Sequence, residues 1–329
     1  MKRVLVAQTA FLGDCVLATS LLGAIHVEHP DWHIDVLVRK GCEGLFVGHP
    51  FVGKVLVWDK GSDKNLGLFR LIKEIRANEY HIMLQAQRFL SGSLSLILSG
   101  AEHKVGYASA PLSWLFTHRA AHDFKDNWHE VDRLDQLWKP FSKQNQRPRP
   151  RLYPTEEQQL KASSYSETPF VTIAPGSVWA TKQWPVAKWI ELVRQINGRY
   201  RVLIIGSKAE TLLAEEIMAG CTRFEVQNLC GKTDLLVAAA IMQRAAMNYS
   251  NDSLPVHLAS AVNAPMCMVY CSTVPQFGFY PLSDVAHIIE PPQLDCRPCG
   301  LHGQRACPKG HFRCAHEVNV GALVGKLEL

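Results

Sequence analysis

An α/β chain made of two doubly wound domains is predicted by three features of the sequence. Short apolar runs rich in β-branched residues alternate with amphipathic stretches long enough to be crossover helices, and this holds in both halves. The alternation is interrupted once, by the polar, basic, proline-rich stretch 142–154 (SKQNQRPRPRLYP), which reads as an extended linker whose arginines are a solvated hinge or an anion contact. At 329 residues, each half is long enough to bury its own core. The domains are expected at 1–150 and 151–329, facing each other across a cleft, a common place for a sizeable ligand.

In the first half, Val4-Leu5-Val6 reads as a strand and 15–27 as a helix with Val16, Leu17, Leu21 and Ile25 toward the core. Strands follow at 34–38 and 55–57, then a helix over 66–76, a strand at 82–84, a helix near 94–98 and a closing helix over 128–141. In the second half, 171–174 is a buried strand that breaks at Pro175-Gly176. Pro185 then opens a helix whose apolar positions Trp189, Ile190, Leu192, Val193 and Ile196 fall mainly on one face, with Gly198 past its end. Strands at 202–205, near 224–226, 247–249 and 266–270 alternate with helices over 209–218 and 235–244 and a short one near His257. Crossovers of this length imply parallel sheets covered by helices on both faces.

Composition narrows the function. With 47% hydrophobic and 20% charged residues the chain is a soluble globular protein, and a net charge of +5 is too small to argue for nucleic acid. The best uninterrupted apolar run, 94–98, falls far short of the roughly 18 residues of a membrane span. Gln8, Thr9 and Asp14 interrupt the apolar start, so a first strand is the better reading than a signal peptide. Of ten cysteines, Cys230, Cys267 and Cys271 sit inside expected core elements, which fits free thiols in a reducing cytoplasm.

Candidate chemistry gathers at strand-to-helix turns. Ser177, Thr181 and Lys182 follow the 171–174 strand and precede a helix, where backbone N–H groups and the helix dipole favour an anion. Lys182 either snorkels beside Trp184 or neutralises that anion. A Walker A loop is excluded, because no Gly directly precedes Lys182 and Gln183 follows it. Asp14, after Gly13, either caps the first helix or takes a proton from an acceptor hydroxyl. The absence of GxGxxG there disfavours a dinucleotide dehydrogenase. Glu210 is either a first-turn helix acid or a ribose ligand, and Asp252, Ser253 and His257 could cradle a diphosphate. Arg88, His103, Lys104, Arg119 and Lys125 are solvated surface or the contacts of an anionic acceptor. In the tail, Cys296, Cys299, Cys307 and Cys314 begin as C-x2-C but lack the second C-x2-C of a zinc ribbon; they are free thiols or a structural zinc site.

Five stretches, in this order, resemble the ADP-heptose:lipopolysaccharide heptosyltransferases, glycosyltransferase family 9: VLVAQTAFLGDCVLATSLL, IAPGSVWATKQWP, IGSKAE, LCGKTDLLVAAAIMQRA and NDSLPVHLASAVNAP. The resemblance spans nearly the whole chain, and the tail CRPCGLHGQRACPKGHFRC looks most like the type II members. It implies a GT-B fold and an inverting transfer of heptose from ADP-heptose to an inner-core sugar of lipopolysaccharide, with no metal or other cofactor required. It also implies a cytoplasmic enzyme in peripheral contact with the inner membrane surface. By resemblance Asp14 matches the base, Lys182 the diphosphate-binding lysine, Ser177 a phosphate-loop hydroxyl and Glu210 the ribose acid. Asp252, Ser253 and His257 match an Asp-(Ser/Thr)-Gly-x-x-His donor motif, in which Leu254 replaces Gly. Thr181 is placed with the donor, and Arg88, Arg119 and Lys125 with the acceptor. The alternatives are a member using another nucleotide sugar, since no identifiable residue reads the donor's seventh carbon, and a non-catalytic nucleotide-sugar binder.

Overall fold

A computed structural model describes residues 2–61, 64–124, 127–143, 148–196 and 198–327. They form two compact units, Met1–Tyr153 and Pro154–Leu329.

The first unit runs β1 (Arg3–Gln8), α1 (Leu12–Glu28), β2 (His33–Arg39), β3 (Val52–Trp58), α2 (Lys64–Ala77), β4 (Ile82–Gln85), α3 (Leu90–Ile97), β5 (His103–Tyr107), β6 (His118–Ala120) and α4 (Glu130–Trp138). Its strands pair in parallel in the order β3-β2-β1-β4-β5-β6. Helices cover both faces, which is why Val4, Leu5, Val6 and Ala7 are all buried and β1 reads as a continuous apolar run rather than an alternating one. The chain leaves β1 toward β2 and β3, then returns to place β4 on the other side of β1. The strand order therefore reverses between β1 and β4.

The second unit repeats the plan: α5 (Glu156–Ser163), β7 (Phe170–Ala174), α6 (Val186–Ile196), β8 (Arg201–Ile204), α7 (Thr211–Ala219), β9 (Val226–Asn228), α8 (Leu235–Arg244), β10 (Asn248–Asn251), α9 (Leu254–Ala261), β11 (Met266–Val269), β12 (Ala286–Ile289), α10 (Arg313–His316) and α11 (Val320–Val324). The order β12-β11-β10-β7-β8-β9 is the first sheet's order counted from β7, with the reversal between β7 and β10. Trp184 and Trp189 pack edge to face at 5.1 Å in its core, with Leu192, Val193 and Ile196 of α6. The Trp184 indole N–H donates to the Ala315 carbonyl at 3.0 Å, fastening the C-terminal segment to the same core.

The expected α/β class is the one the chain adopts, and the departures are local. Sequence reading omits β5, β6, β12, α5 and the two short C-terminal helices α10 and α11. β5 opens on His103 and Lys104, β6 is a three-residue edge strand and β12 is a four-residue edge strand of the second sheet, so none carries a long apolar run. α5 buries only Ala162 and begins on a reciprocal cap, with the Thr155 hydroxyl accepting from Gln158 N–H at 3.3 Å. The first helix starts at Leu12, so Gly13 lies inside it and Asp14 is its third residue rather than the residue before it. All ten cysteines are thiols. Among the described residues no helix is long and apolar enough to cross a membrane.

Candidate active site

In an open parallel sheet, the loops leaving adjacent strands at the order reversal diverge to opposite faces and leave a crevice at the carboxyl edge. In the second unit the loops following β7 and β10 hold the expected donor residues. Lys182 ends a short 3-10 turn (Ala180–Lys182), and its ammonium lies 2.6 Å from Asp252 Oδ2 just past β10. The same oxygen accepts the Thr273 hydroxyl at 2.6 Å. Asn251, fully buried, ties the two loops together: its carboxamide oxygen accepts Trp184 N–H at 3.0 Å and its amide nitrogen donates to the Pro175 carbonyl at 2.6 Å. A cation is thus held in place by Asp252, and in the same loop the carbonyl of half-buried Ser177 accepts from Gln183 at 2.6 Å.

Glu210 reaches the same edge from the turn after β8. Its carboxylate accepts Ser207 N–H at 2.5 Å and lies directly over Gly176, where an added Cβ would come within 1.3 Å of Oε1. Gly176 is therefore a close-approach glycine, and Gly176→Ala must displace Glu210. The expected result is a loss of about 1–3 kcal/mol of stability, typical of overpacking, together with a raised donor KM. Gly44→Ala, where the new Cβ meets nothing within 4 Å, should change neither. Calorimetric melting and donor titration of the two variants check this.

His257 is buried in α9 with its ring 6.3 Å from Phe279, and Ser253 is the residue before that helix, its hydroxyl 3.4 Å from the Asn251 carbonyl. Leu254 is the first helical residue and its backbone is not left-handed, so the fold does not require glycine there.

Thr181, expected at the donor site, is tied to the C-terminal tail. It is 2% exposed, and its hydroxyl accepts from Ser272 Oγ at 3.0 Å and from Gln304 N–H at 2.7 Å. Its own N–H donates to the Gln304 carbonyl at 3.1 Å. Thr181 therefore fastens the cysteine-rich tail to the loop that carries Lys182. Gly303 completes this contact with a positive φ; a Cβ there would lie 3.1 Å from Thr181 Oγ1 and 3.2 Å from Lys182 Cγ. The four tail cysteines lie near one another, burial and then Cys299, Cys307 and Cys296 pushing the Cys314 thiol up, but no three of their sulfurs lie within 4.8 Å of one another. Cys296 Sγ is 3.9 Å from His311 Nε2, and Cys314 is buried. Among the described residues, the only three metal-ligating side chains with ligand atoms within 4.8 Å of one another lie elsewhere, in the first unit.

In the first unit the reversal lies between β1 and β4, and Asp14 stands just past β1. Its Oδ2 accepts Phe11 N–H at 3.1 Å, so it closes the helix start from the third position. Burial and then the negative charge of Glu130 push its carboxyl up to about 6, against the Phe11 and Asp14 amides and the Arg39 guanidinium. Burial acts on Glu130 in the same sense, but the His122 hydrogen bond and the Arg133 charge outweigh it and hold that carboxyl below its usual range. Arg133 Nε donates to Glu130 at 2.8 Å. Of this pair, Asp14 is the one poised to exchange a proton near neutrality. Lys60 donates to the Thr9 carbonyl at 2.9 Å, and the Arg39 guanidinium sits 5.2 Å from the Phe11 ring, so two cations flank the turn.

The expected acceptor cations are scattered. Exposed Arg88 follows the carboxyl end of β4, next to β1, and lies 6.0 Å from the Phe124 ring. Arg119 is in the middle of edge strand β6, and His103 and Lys104 open β5 at the amino edge, opposite Asp14. Lys125 lies outside the described residues. Glu130, Arg39, Asn251, Thr273 and Gly176 were not singled out from sequence. Only Gly176, after a proline at a strand end, and Asn251, beside Asp252, carried a local signal.

Comparison with known proteins accords with this arrangement. The model of glycosyltransferase family 9 (heptosyltransferase) matches residues 68–308. The chain is 26% identical over 311 residues to lipooligosaccharide heptosyltransferase 2 of Haemophilus influenzae, covering 87% of this chain and 88% of that protein. In fold it is similar to E. coli ADP-heptose LPS heptosyltransferase II, with TM-score 0.74 and 22% identity over the whole of both chains. It is also similar to E. coli heptosyltransferase WaaC with ADP, with TM-score 0.76 and 20% identity over 99% of each. The family match alone spans well over half of the sequence, and the chain belongs to glycosyltransferase family 9, the heptosyltransferases.

Proposed function

We propose that this heptosyltransferase moves heptose from ADP-heptose to an inner-core sugar of lipopolysaccharide with inversion at the anomeric carbon. The second unit binds the donor and the first unit the acceptor. The observation that carries this reading is the Lys182 ammonium held at the carboxyl-edge reversal of the second sheet, among the loops after β7, β8 and β10. A diphosphate placed there meets a cation and the start of a helix, which stabilise ADP as it leaves. Glu210, pinned over Gly176, accepts the ribose hydroxyls. Asp14 takes the proton of the acceptor hydroxyl as that oxygen attacks. Catalysis proceeds without a metal ion: Lys182 supplies the charge, and the Asp252 oxygen a metal would seek is already engaged by Lys182 and Thr273. The enzyme works in the cytoplasm, at the inner face of the membrane that carries its acceptor, and Arg88 and Arg119 are the described cations offered to that anionic saccharide.

The test is transfer by the purified chain from ADP-heptose to a heptose-deficient core, followed by mass spectrometry of the product. No gain of a heptose mass would sink the proposal. The same assay has a pH signature. A carboxyl raised to about 6 is protonated below that value, and a protonated base cannot act. kcat/KM should be flat above about pH 6 and fall roughly tenfold per unit below it. A profile flat down to pH 4.5 would exclude Asp14 as the base.

A further inference from the structure

Three potential metal ligands meet at the amino edge of the first sheet, the edge opposite Asp14. His81 immediately precedes β4, Glu102 immediately precedes β5, and His103 opens β5. Parallel pairing sets Ile82 beside His103, and His103 N–H donates to the His81 carbonyl at 2.9 Å. His81 Nδ1 lies 2.6 Å from Glu102 Oε2 and His103 Nε2 lies 3.5 Å from Oε1, and one ligand atom from each residue falls within 4.8 Å of the other two. Around a tetrahedral zinc ion with bonds of about 2.0–2.1 Å, ligand atoms stand roughly 3.3 Å apart, so small side-chain rotations close the set.

A fourth residue orients this group. His118 opens β6 and places Nε2 3.3 Å from His103 Nδ1. If His103 donates its Nδ1–H to His118, its Nε2 lone pair is left pointing toward Glu102, the arrangement by which an outer partner fixes a ligating imidazole. Phe141 packs edge-on against both the His103 and His118 rings, each at 5.3 Å, so the imidazoles are already held in place. Two imidazoles and one carboxylate suit Zn²⁺, Co²⁺ or Ni²⁺ better than the hard oxygen-seeking Mg²⁺ or Ca²⁺.

We propose that His81, Glu102 and His103 bind a zinc ion whose fourth position is taken by water, with His118 orienting His103. The ion joins the starts of β4 and β5 and, through His118, the short edge strand β6. It stabilises the first unit from the edge away from the chemistry, so it stands independently of the transfer reaction.

The test uses the full chain with Cys296, Cys299 and Cys307 changed to Ser, which removes every tail thiol except buried Cys314 as a competing ligand. Zn²⁺ should raise its Tm, and Co²⁺ should give visible bands of a four-coordinate nitrogen and oxygen site without thiolate charge transfer. His81→Gln and Glu102→Gln should each weaken Zn²⁺ binding by at least ~10-fold, and His118→Gln by on the order of 10-fold. His26→Gln, at a histidine stacked on Phe51, should leave it unchanged. If the serine background does not fold, the wild-type chain serves, because the thiolate band reports the tail and the difference between wild type and His81→Gln reports this site. Equal Zn²⁺ affinity in His81→Gln and its parent, or no rise in Tm at millimolar Zn²⁺, overturns the assignment and leaves a hydrogen-bonded surface cluster.

Discussion

Asp14→Asn should lower the rate of heptose transfer by a factor on the order of 100 to 10,000, the usual share of general-base catalysis, and should leave ADP binding unchanged. Asparagine keeps the shape and still offers an oxygen to Phe11 N–H, so α1 starts as before. A second readout separates the base from a mere helix cap. The folded carboxyl titrates near 6, above its value of about 4 in an unfolded chain, so the folded state holds the proton more tightly. Stability therefore falls as pH rises from about 4 to 6 and stays lower above that window. Asn removes this loss, so Asp14→Asn should melt above wild type at pH 8 and close to it at pH 4. Near wild-type turnover in the variant would make Asp14 a structural residue only.

Lys182→Ala should weaken ADP binding by roughly 1.5–3 kcal/mol, the worth of a charge-assisted hydrogen bond, or about 10- to 150-fold. It also leaves the Asp252 carboxylate, 8% exposed, with Thr273 but without its ammonium partner. Breaking a buried pair on one side costs about 3–5 kcal/mol, so the single variant should also lose stability. Lys182→Ala with Asp252→Asn removes both charges. The double variant should regain most of the melting temperature and none of the donor affinity. Undiminished ADP affinity in the single variant, measured by calorimetry, would take Lys182 out of the site.

Much of this was legible because local chemistry repeats in a parallel sheet. Buried strands such as β7 and β11 are short, apolar and bounded by turn residues, and helices such as α6 carry one apolar face. Asp14, Lys182, Glu210 and Asp252 could be singled out because each lies where a strand ends and a helix begins. The long-range partners of Thr181 could not be read by that rule. Its hydroxyl accepts from Ser272 and Gln304, residues about 90 and 120 positions away, and no local pattern reports such a contact.

By itself, then, the sequence determined the α/β class, the two-part division and the turns where charged groups gather, since these follow from periodicity and turn chemistry within a few residues. Tertiary structure alone decided which turns become neighbours. The strand order reverses between β1 and β4 and between β7 and β10, which brings Lys182 to Asp252 across 70 residues of chain. The same parallel register sends His103 to the edge opposite Asp14, beside His81 and Glu102, and away from the acceptor role its charge suggested. It also decided the protonation of Asp14, because burial and the charge of Glu130, 116 residues further along, set a carboxyl's affinity for its proton in a way that no neighbouring residue reveals.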